Sequence, residues 1–274
     1  MIPYFTNYMD AFRYVYDFGL ARGDRTGTGT RSVFRTTIDY DLSKGFPLIT
    51  EKKTWWKGVV TELQWILRGD RTGNIDFMRN RGVHIWDEWA DDYGDLGPVY
   101  GAQARHWKVD AHGSIIDQLQ RTIDEIKSNP TSRRMLVSMW NPGELDQQAL
   151  PPCHYSYQFY VERGALSCVV NQRSADMFLG VPFDIASYAL LTHIVAQLTG
   201  YEVGILSWSG TNVHIYDNHE DQAQLLLKRP SDRPLPTLTL PLLDSLKAYQ
   251  ELPWQAFELE GYDPYPTIGA EVAV

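Results

Sequence analysis

Two residue types in this chain could do chemistry: one thiol at a turn, and a set of arginines spread along the sequence. Cys153 lies in LPPCHYSYQF, at the mouth of a predicted strand and beside His154. The preceding Pro-Pro fixes a turn, and cationic neighbours favour the thiolate, the nucleophilic form of cysteine. The competing reading of a lone cysteine is a small buried apolar residue, and Cys168, inside ALSCVV, fits that reading. Arg25 lies in a Gly/Thr loop, Arg133 and Arg134 are adjacent before a strand, and Arg173-Ser174 follows another strand. Arg and Ser donors converging on one point hold a phosphate, whereas each arginine taken singly reads as a solvated surface charge. The loop GDRTGTGT looks like a phosphate cradle but lacks the G-x-x-x-x-G-K-[ST] of a P-loop. The seven histidines and two cysteines show no paired ligand spacing, so no metal is expected.

The elements that must position these residues can be read from periodicity. Tyr8, Phe12, Val15 and Tyr16 recur at helical spacing and predict a helix over 8–20. SVFRTTIDYDL reads as a strand. KTWWKGVVTELQWILRG puts Trp56, Val59, Val60, Leu63 and Leu67 on one face of a helix that stops at Gly69. SIIDQLQRTIDEIKSNP reads as an amphipathic helix with Ile115, Leu119, Ile123 and Ile126 inward, ended by Pro130. RRMLVSMW, HYSYQFYVE and ALSCVVNQRS read as consecutive strands, with a turn at Arg163-Gly164. FDIASYALLTHIVAQLTG reads as a helix with Asp184 near its start and Gly200 at its end. The region from Arg229 is punctuated by prolines, with β-like pieces such as PTLTL. Helices and strands mix without regular alternation, which predicts an α+β fold.

Composition sets the outer limits. The 274 residues carry a formal charge of −9, and 43% are hydrophobic. That is enough to bury a sizeable core and argues against disorder. The acidic balance argues against a sequence-independent duplex-DNA binder, but a few placed arginines still suffice for one phosphate. Two cysteines are too few for a disulfide scaffold. The first residues carry acids early and lack a secretory apolar core. No run approaches the ~18 apolar residues of a membrane span. A cytoplasmic protein with no membrane partner is expected.

Taken together, DRTGTGTRS, GFPLIT, IWDEWAD, GDLGPVYG, SRRM, PPCH, QRSAD, PFDIASYALL, HIYDNH and EGYDPYPTIGAEVAV closely resemble the thymidylate synthase family over nearly the whole length. The resemblance implies one catalytic domain over 1–274, built on a large mixed sheet flanked by helices. It implies a homodimer that uses a sheet face as its interface. It implies 5,10-methylenetetrahydrofolate as carbon donor, a pyrimidine nucleoside monophosphate as acceptor, and no need for nucleic acid. Carried over position by position, Cys153 is the nucleophile at C6 of the pyrimidine. Arg25, Arg173 and Ser174 hold the phosphate, while Arg133 and Arg134 reach into the other subunit's site. His214 and Tyr216 hydrogen-bond the sugar hydroxyl. Asp176 lies by base and folate, and Glu62 organises water and proton transfers. Trp86 and Trp89 wall the folate side, and Val272–Val274 closes over the ligands. Packing or capping is the alternative role for Glu62, Trp86 and Trp89.

One departure stands out. Thymidylate synthases carry Asn where this chain has Asp184. An amide complements N3–H and O4 of uracil, whereas a protonated carboxyl, or an ionised one facing N3-protonated cytosine, complements N3 and the 4-amino group of cytosine. The family's dCMP hydroxymethylases are known for Asp at this place. The resemblance therefore implies dCMP as acceptor, with hydroxymethyl-dCMP or methyl-dCMP as product. The alternatives are an ordinary thymidylate synthase in which Asp184 merely caps a helix, and a non-catalytic nucleotide or RNA binder. Trp55, Ala104, Asn171 and the stretch SGTNVHIYDNH also depart from the family's usual residues.

Overall fold

The computed structural model describes residues 3–109 and 112–273. The first elements are β1 (Tyr4–Phe5), α1 (Tyr8–Phe18), β2 (Leu20–Arg22), β3 (Thr30–Asp41), α2 (Trp56–Arg68), α3 (Asp76–Arg79) and α4 (Gly101–Arg105). Then come β4 (Trp107–Lys108), β5 (Ile115–Ile116), α5 (Gln118–Ser128), β6 (Leu136–Ser138), β7 (His154–Glu162), β8 (Ala165–Gln172) and β9 (Ala175–Asp176). The remainder is α6 (Gly180–Thr199), β10 (Glu202–Tyr216), α7 (Glu220–Leu227), β11 (Thr237–Thr239), α8 (Leu246–Glu251) and β12 (Glu258–Glu260).

Local sequence sets most of these limits. Asn7 caps α1 by accepting from the Asp10 amide at 2.8 Å. α2 ends where Gly69 turns left-handed (φ 59°, ψ 47°), and its predicted face, Trp56, Val59, Val60, Leu63 and Leu67, is buried. The predicted turn between β7 and β8 is present, with φ 52° at Arg163 and 81° at Gly164.

Three expectations are corrected. Ile115 is not on a helix: it pairs with Lys108 in a small β4–β5 ladder and is 43% exposed. The Asp117 carboxylate accepts from the Gln120 amide at 2.9 Å, so the helix starts only after it. Helix α6 begins at Gly180, three residues earlier than the apolar run suggests, because Pro182 is tolerated in a first turn that needs no amide donor. Asp184 is therefore inside the helix and is not its cap. The longest strand, β10, covers 15 residues for which periodicity predicted no element.

The sheet runs β1-β3-β10-β8-β7-β6, with β2 added on β3 and β9 on β10. Pairing is mixed: β10 is antiparallel to β3 and parallel to β8, while β7 is antiparallel to both β8 and β6. This is the α+β architecture expected. α6 is apolar on all sides and packs inside the core, with Ile185, Ala186, Ala189 and Leu190 fully buried. It is the one described helix long and apolar enough to cross a bilayer, and its burial explains that composition.

Candidate active site

The C-terminal end of β8, the start of β7, the start of α6 and the end of β10 meet around a cavity of about 800 Å³. Cys153, Glu62, Asp184, Asp176, Arg25, Arg173, Ser174, His214, Tyr216, Trp86, Trp89 and Val272 all line it. The volume lies in the upper part of the ~300–1,000 Å³ range of ligand pockets, enough for a nucleotide beside a flat second ligand. Val274 lies outside the described residues. Arg133 and Arg134 do not line this cavity; Arg134 lines a separate hollow with Trp107, Arg121 and Glu125.

Cys153 immediately precedes β7 and is held from both sides. Its amide donates to the Tyr100 hydroxyl at 3.2 Å, and its carbonyl accepts from the Arg173 amide at 2.8 Å. The Arg173 guanidinium donates to the carbonyls of Pro152 (2.9 Å) and Pro151 (2.7 Å), clamping the turn that the Pro-Pro pair predicts. Burial pushes the Cys153 thiol up; Arg173 and Arg25 oppose this, and Asp184 adds to it. Tyr100 holds its hydroxyl there at φ 36°, a conformation that costs a non-glycine residue energy.

The Arg25 loop is ordered by Asp24. Its carboxylate accepts from the amides of Thr26 (2.6 Å) and Gly29 (2.7 Å). Gly29 is at φ 86°, and a Cβ there would lie 2.3 Å from an Asp217 carboxylate oxygen, so only glycine fits. Opposite this loop, His214 Nδ1 lies 2.8 Å from the Asn212 carbonyl, which accepts its proton and leaves Nε2 as an acceptor in the neutral ring. The Tyr216 ring packs edge-on against His214 at 4.9 Å. Asp176 Oδ1 accepts from the amides of Phe178 (2.8 Å) and Leu179 (3.3 Å), fixing the turn into α6.

The far wall is aromatic. Trp86 lies between Trp89 (5.5 Å), Tyr100 (5.6 Å) and Trp65 (6.1 Å). Its indole N–H donates to Glu62 Oε1 at 2.7 Å. Burial pushes the Glu62 carboxyl up to about 7, against the lowering effect of that bond. The chain end closes one side: Ala270, Val272 and Ala273 line the cavity, and His219 Nε2 donates to the Glu271 carbonyl at 2.7 Å.

Asp184 enters from the second turn of α6. Its Oδ2 accepts from Gln172 Nε2 at 2.7 Å, and its Oδ1 lies 3.7 Å from His154 Nε2. Burial, then the Glu62 charge, pushes its carboxyl up to about 8. His154 stacks on Tyr100 with centroids 4.4 Å apart, and its Nδ1 is 2.7 Å from the Tyr188 hydroxyl. Burial lowers the His154 ring to about 3, so it is neutral.

Sequence reasoning missed Tyr100, Gln172, Phe183 and Asn212 as lining residues, and gave His154 no role of its own. Gln172 opens the QRSAD match, His154 ends the PPCH match, Tyr100 lies in GDLGPVYG and Phe183 in PFDIASYALL, so membership of a matched motif was the available signal. Of the other departures, Trp55 and the cavity-lining Phe183 both pack against Gly58, and the Asn171 amide donates to the Ser156 hydroxyl at 3.2 Å. Ala104 is fully buried away from the cavity.

A cleft with a clamped thiol, a cluster of Arg and Ser donors and an aromatic wall suits covalent chemistry on a phosphorylated heterocycle. A family model described as thymidylate synthase matches residues 6–274. Enzymes of that family bind a nucleotide and a folate, take a one-carbon unit from methylenetetrahydrofolate, pass it to a pyrimidine nucleotide, and use no metal. With that match spanning nearly its whole length, the chain belongs to the thymidylate synthase family of methylene-transferring enzymes.

Proposed function

We propose that this enzyme acts on dCMP, adding a one-carbon unit at C5 and releasing 5-hydroxymethyl-dCMP. The observation that carries the reading is Asp184: a carboxyl lining the cavity, bonded on one oxygen by Gln172 and pushed up to about 8. At neutral pH it keeps its proton. Its O–H then matches N3 of cytosine, and its other oxygen accepts from the 4-amino group. Uracil would set its own N3–H against that O–H and leave buried polar groups unpaired, which discriminates strongly.

The roles of the other residues follow. Cys153 adds to C6, and the charge that moves to N3 is met by the Asp184 proton, so C5 becomes nucleophilic. Methylenetetrahydrofolate, when bound, supplies the electrophilic one-carbon unit. Arg25, Arg173 and Ser174 take the phosphate, and His214 and Tyr216 take the sugar hydroxyl. Trp86 and Trp89 wall the folate side, Asp176 sits between the two ligands, and the segment carrying Ala270, Val272 and Ala273 closes the cavity. Glu62, with a carboxyl near neutrality, orients the water that completes the hydroxymethyl group. Where that water is excluded, the C5-methylene would instead take a hydride from tetrahydrofolate, which would leave as dihydrofolate, and the product would be 5-methyl-dCMP.

The reading includes a homodimer of single-domain subunits. Arg133 and Arg134 lie off their own cavity, which suits a role in the site of a second copy. Turnover with dCMP and with dUMP, each with methylenetetrahydrofolate and product masses recorded, tests the reading. A dCMP product heavier by CH2O supports it. Turnover of dUMP alone overturns it, and a product heavier by CH2 replaces hydroxymethylation by methylation.

A further inference from the structure

Asn212 holds a left-handed backbone in the middle of a strand. Its φ is 48°, it belongs to β10, and it lines the cavity. Two other non-glycine residues among those described have positive φ, and each has a local reason. Arg163 turns the β7–β8 hairpin, and Tyr100 meets the Cys153 amide. Asparagine tolerates the left-handed region better than most residues, but a strand gains nothing from it unless the kink itself has a use.

The kink has two consequences. The first is a lapse of pairing on both edges of β10. Against β3 the register passes from Thr211↔Arg35 to Val213↔Val33 and skips Asn212. On the other edge β8 ends at Gly210↔Gln172, and β9 takes over at Val213↔Ala175. At this gap the Asn212 carbonyl accepts from His214 Nδ1 at 2.8 Å. The second is a change of phase. Before the kink the core residues are even-numbered, Leu206 and Trp208; after it they are odd-numbered, Val213 and Ile215. A Cβ on Gly210 would lie 2.8 Å from Val213 Cγ2, so these two positions share a side that an unbroken strand would deny them. His214 and Tyr216, even-numbered like Trp208, line the cavity instead.

A carbonyl can only accept, so His214 Nδ1 carries the proton, and Nε2 of the neutral ring can only accept. We propose that Asn212 is a positioning residue for the sugar: its left-handed backbone fixes the His214 tautomer, so the site demands a sugar hydroxyl that donates. In a 2′-deoxynucleoside 5′-monophosphate the free sugar hydroxyl is the one at C3′. The substrate class is thereby narrowed to nucleotides with an unblocked 3′-hydroxyl. The inference rests on His214 meeting that hydroxyl, and it is independent of which base is bound.

The test is titration calorimetry without folate. The ligands are dCMP, dUMP and their 3′-fluoro-2′,3′-dideoxy counterparts, in which fluorine replaces the hydroxyl at similar size and brings no proton. Ratios are taken on the base that wild type binds better. The proteins are wild type, Asn212→Gly, Asn212→Ala and Asn212→Val. Glycine adopts the left-handed region freely, alanine resists it, and a β-branched residue resists it most. Wild type is expected to favour the hydroxyl over the fluorine by ~10-fold or more. Asn212→Gly keeps that ratio although it lacks the amide, and Asn212→Val loses most of it, with Asn212→Ala between. Nitrogen NMR of the imidazole rings is expected to show the His214 proton on Nδ1 in wild type and Asn212→Gly, a signature lost in Asn212→Val. Should Asn212→Val not fold, Asn212→Ala decides both readouts.

A ratio lost in Asn212→Gly as fully as in Asn212→Val assigns the role to the amide side chain and overturns the backbone role. A merely structural residue would weaken hydroxyl and fluoro nucleotides together. Unmoved ratios in all variants, with wild type discriminating, therefore overturn the inference alone and leave His214 at the sugar. Wild type binding both nucleotides equally overturns the reading of His214 and the inference with it.

Discussion

The Trp86 indole donates to Glu62 Oε1 at 2.7 Å, while burial holds that carboxyl near 7. An N–H donor favours the charged carboxylate, so the two effects oppose each other. Replacing Trp86 with Phe removes only the lowering effect, so the Glu62 carboxyl rises. The acid limb of kcat/KM moves to higher pH in Trp86→Phe and disappears in Glu62→Gln, whose kcat falls about 10²-fold or more. A limb unmoved in both variants would assign it to another group.

The thiol of Cys153 is raised by burial despite its arginines. In the empty enzyme it is therefore a slow nucleophile at neutral pH. Its alkylation by iodoacetamide keeps accelerating past pH 9, where an unperturbed thiol would level off. Cys168, fully buried and pushed up to about 12, stays unlabelled in the native protein. Mass-mapped labelling rates check both statements. Cys153→Ser is expected to lose about 10³-fold or more in turnover while binding nucleotide within a few-fold of wild type.

How far the sequence disclosed this site follows from what kind of signal each residue carries. Cys153, Arg173 and Asp184 are legible because their types are chemically distinctive at their positions. Gln172 and Tyr100 are not, since an amide and a phenol acquire meaning only from the Trp208 indole or the Cys153 amide across the fold. β10 escaped notice because Gly204 and Gly210 interrupt its alternation, and its register shifts between Val203 and Leu206. Ile115 was misplaced because an apolar residue four before Leu119 fits helical spacing, while the Asp117 cap that stops the helix lies between them.

Asp184 also sets how stability varies with pH. Its carboxyl ordinarily ionises near 3.8 and is raised to about 8 in the fold. The native state thus binds the extra proton, and stability present below about pH 4 is lost as pH rises through 8. Asp184→Asn cannot ionise and escapes this loss. Its Tm minus that of wild type is expected to grow steadily from pH 5 to pH 8 in scanning calorimetry. A gap that stays flat or narrows would place the Asp184 proton elsewhere.

The tail is tied to the body through His219, whose Nε2 donates to the Glu271 carbonyl at 2.7 Å. His219→Phe keeps the ring packed on Phe178 but removes the donor. The bond contributes about 1 kcal/mol net. The expected outcome is a higher KM for methylenetetrahydrofolate with little change in nucleotide affinity, since Val272 and Ala273 lose their hold at the cavity. Steady-state kinetics with each ligand varied in turn checks it.

The central claim is that Asp184 selects cytosine. It is tested most directly by giving wild type and Asp184→Asn an equimolar mixture of dCMP and dUMP with methylenetetrahydrofolate, and weighing the products. The expected result is modified dCMP from wild type and a shift of at least ~10²-fold toward dUMP in the variant. Modified dUMP from both proteins, in the same proportion, would contradict the claim.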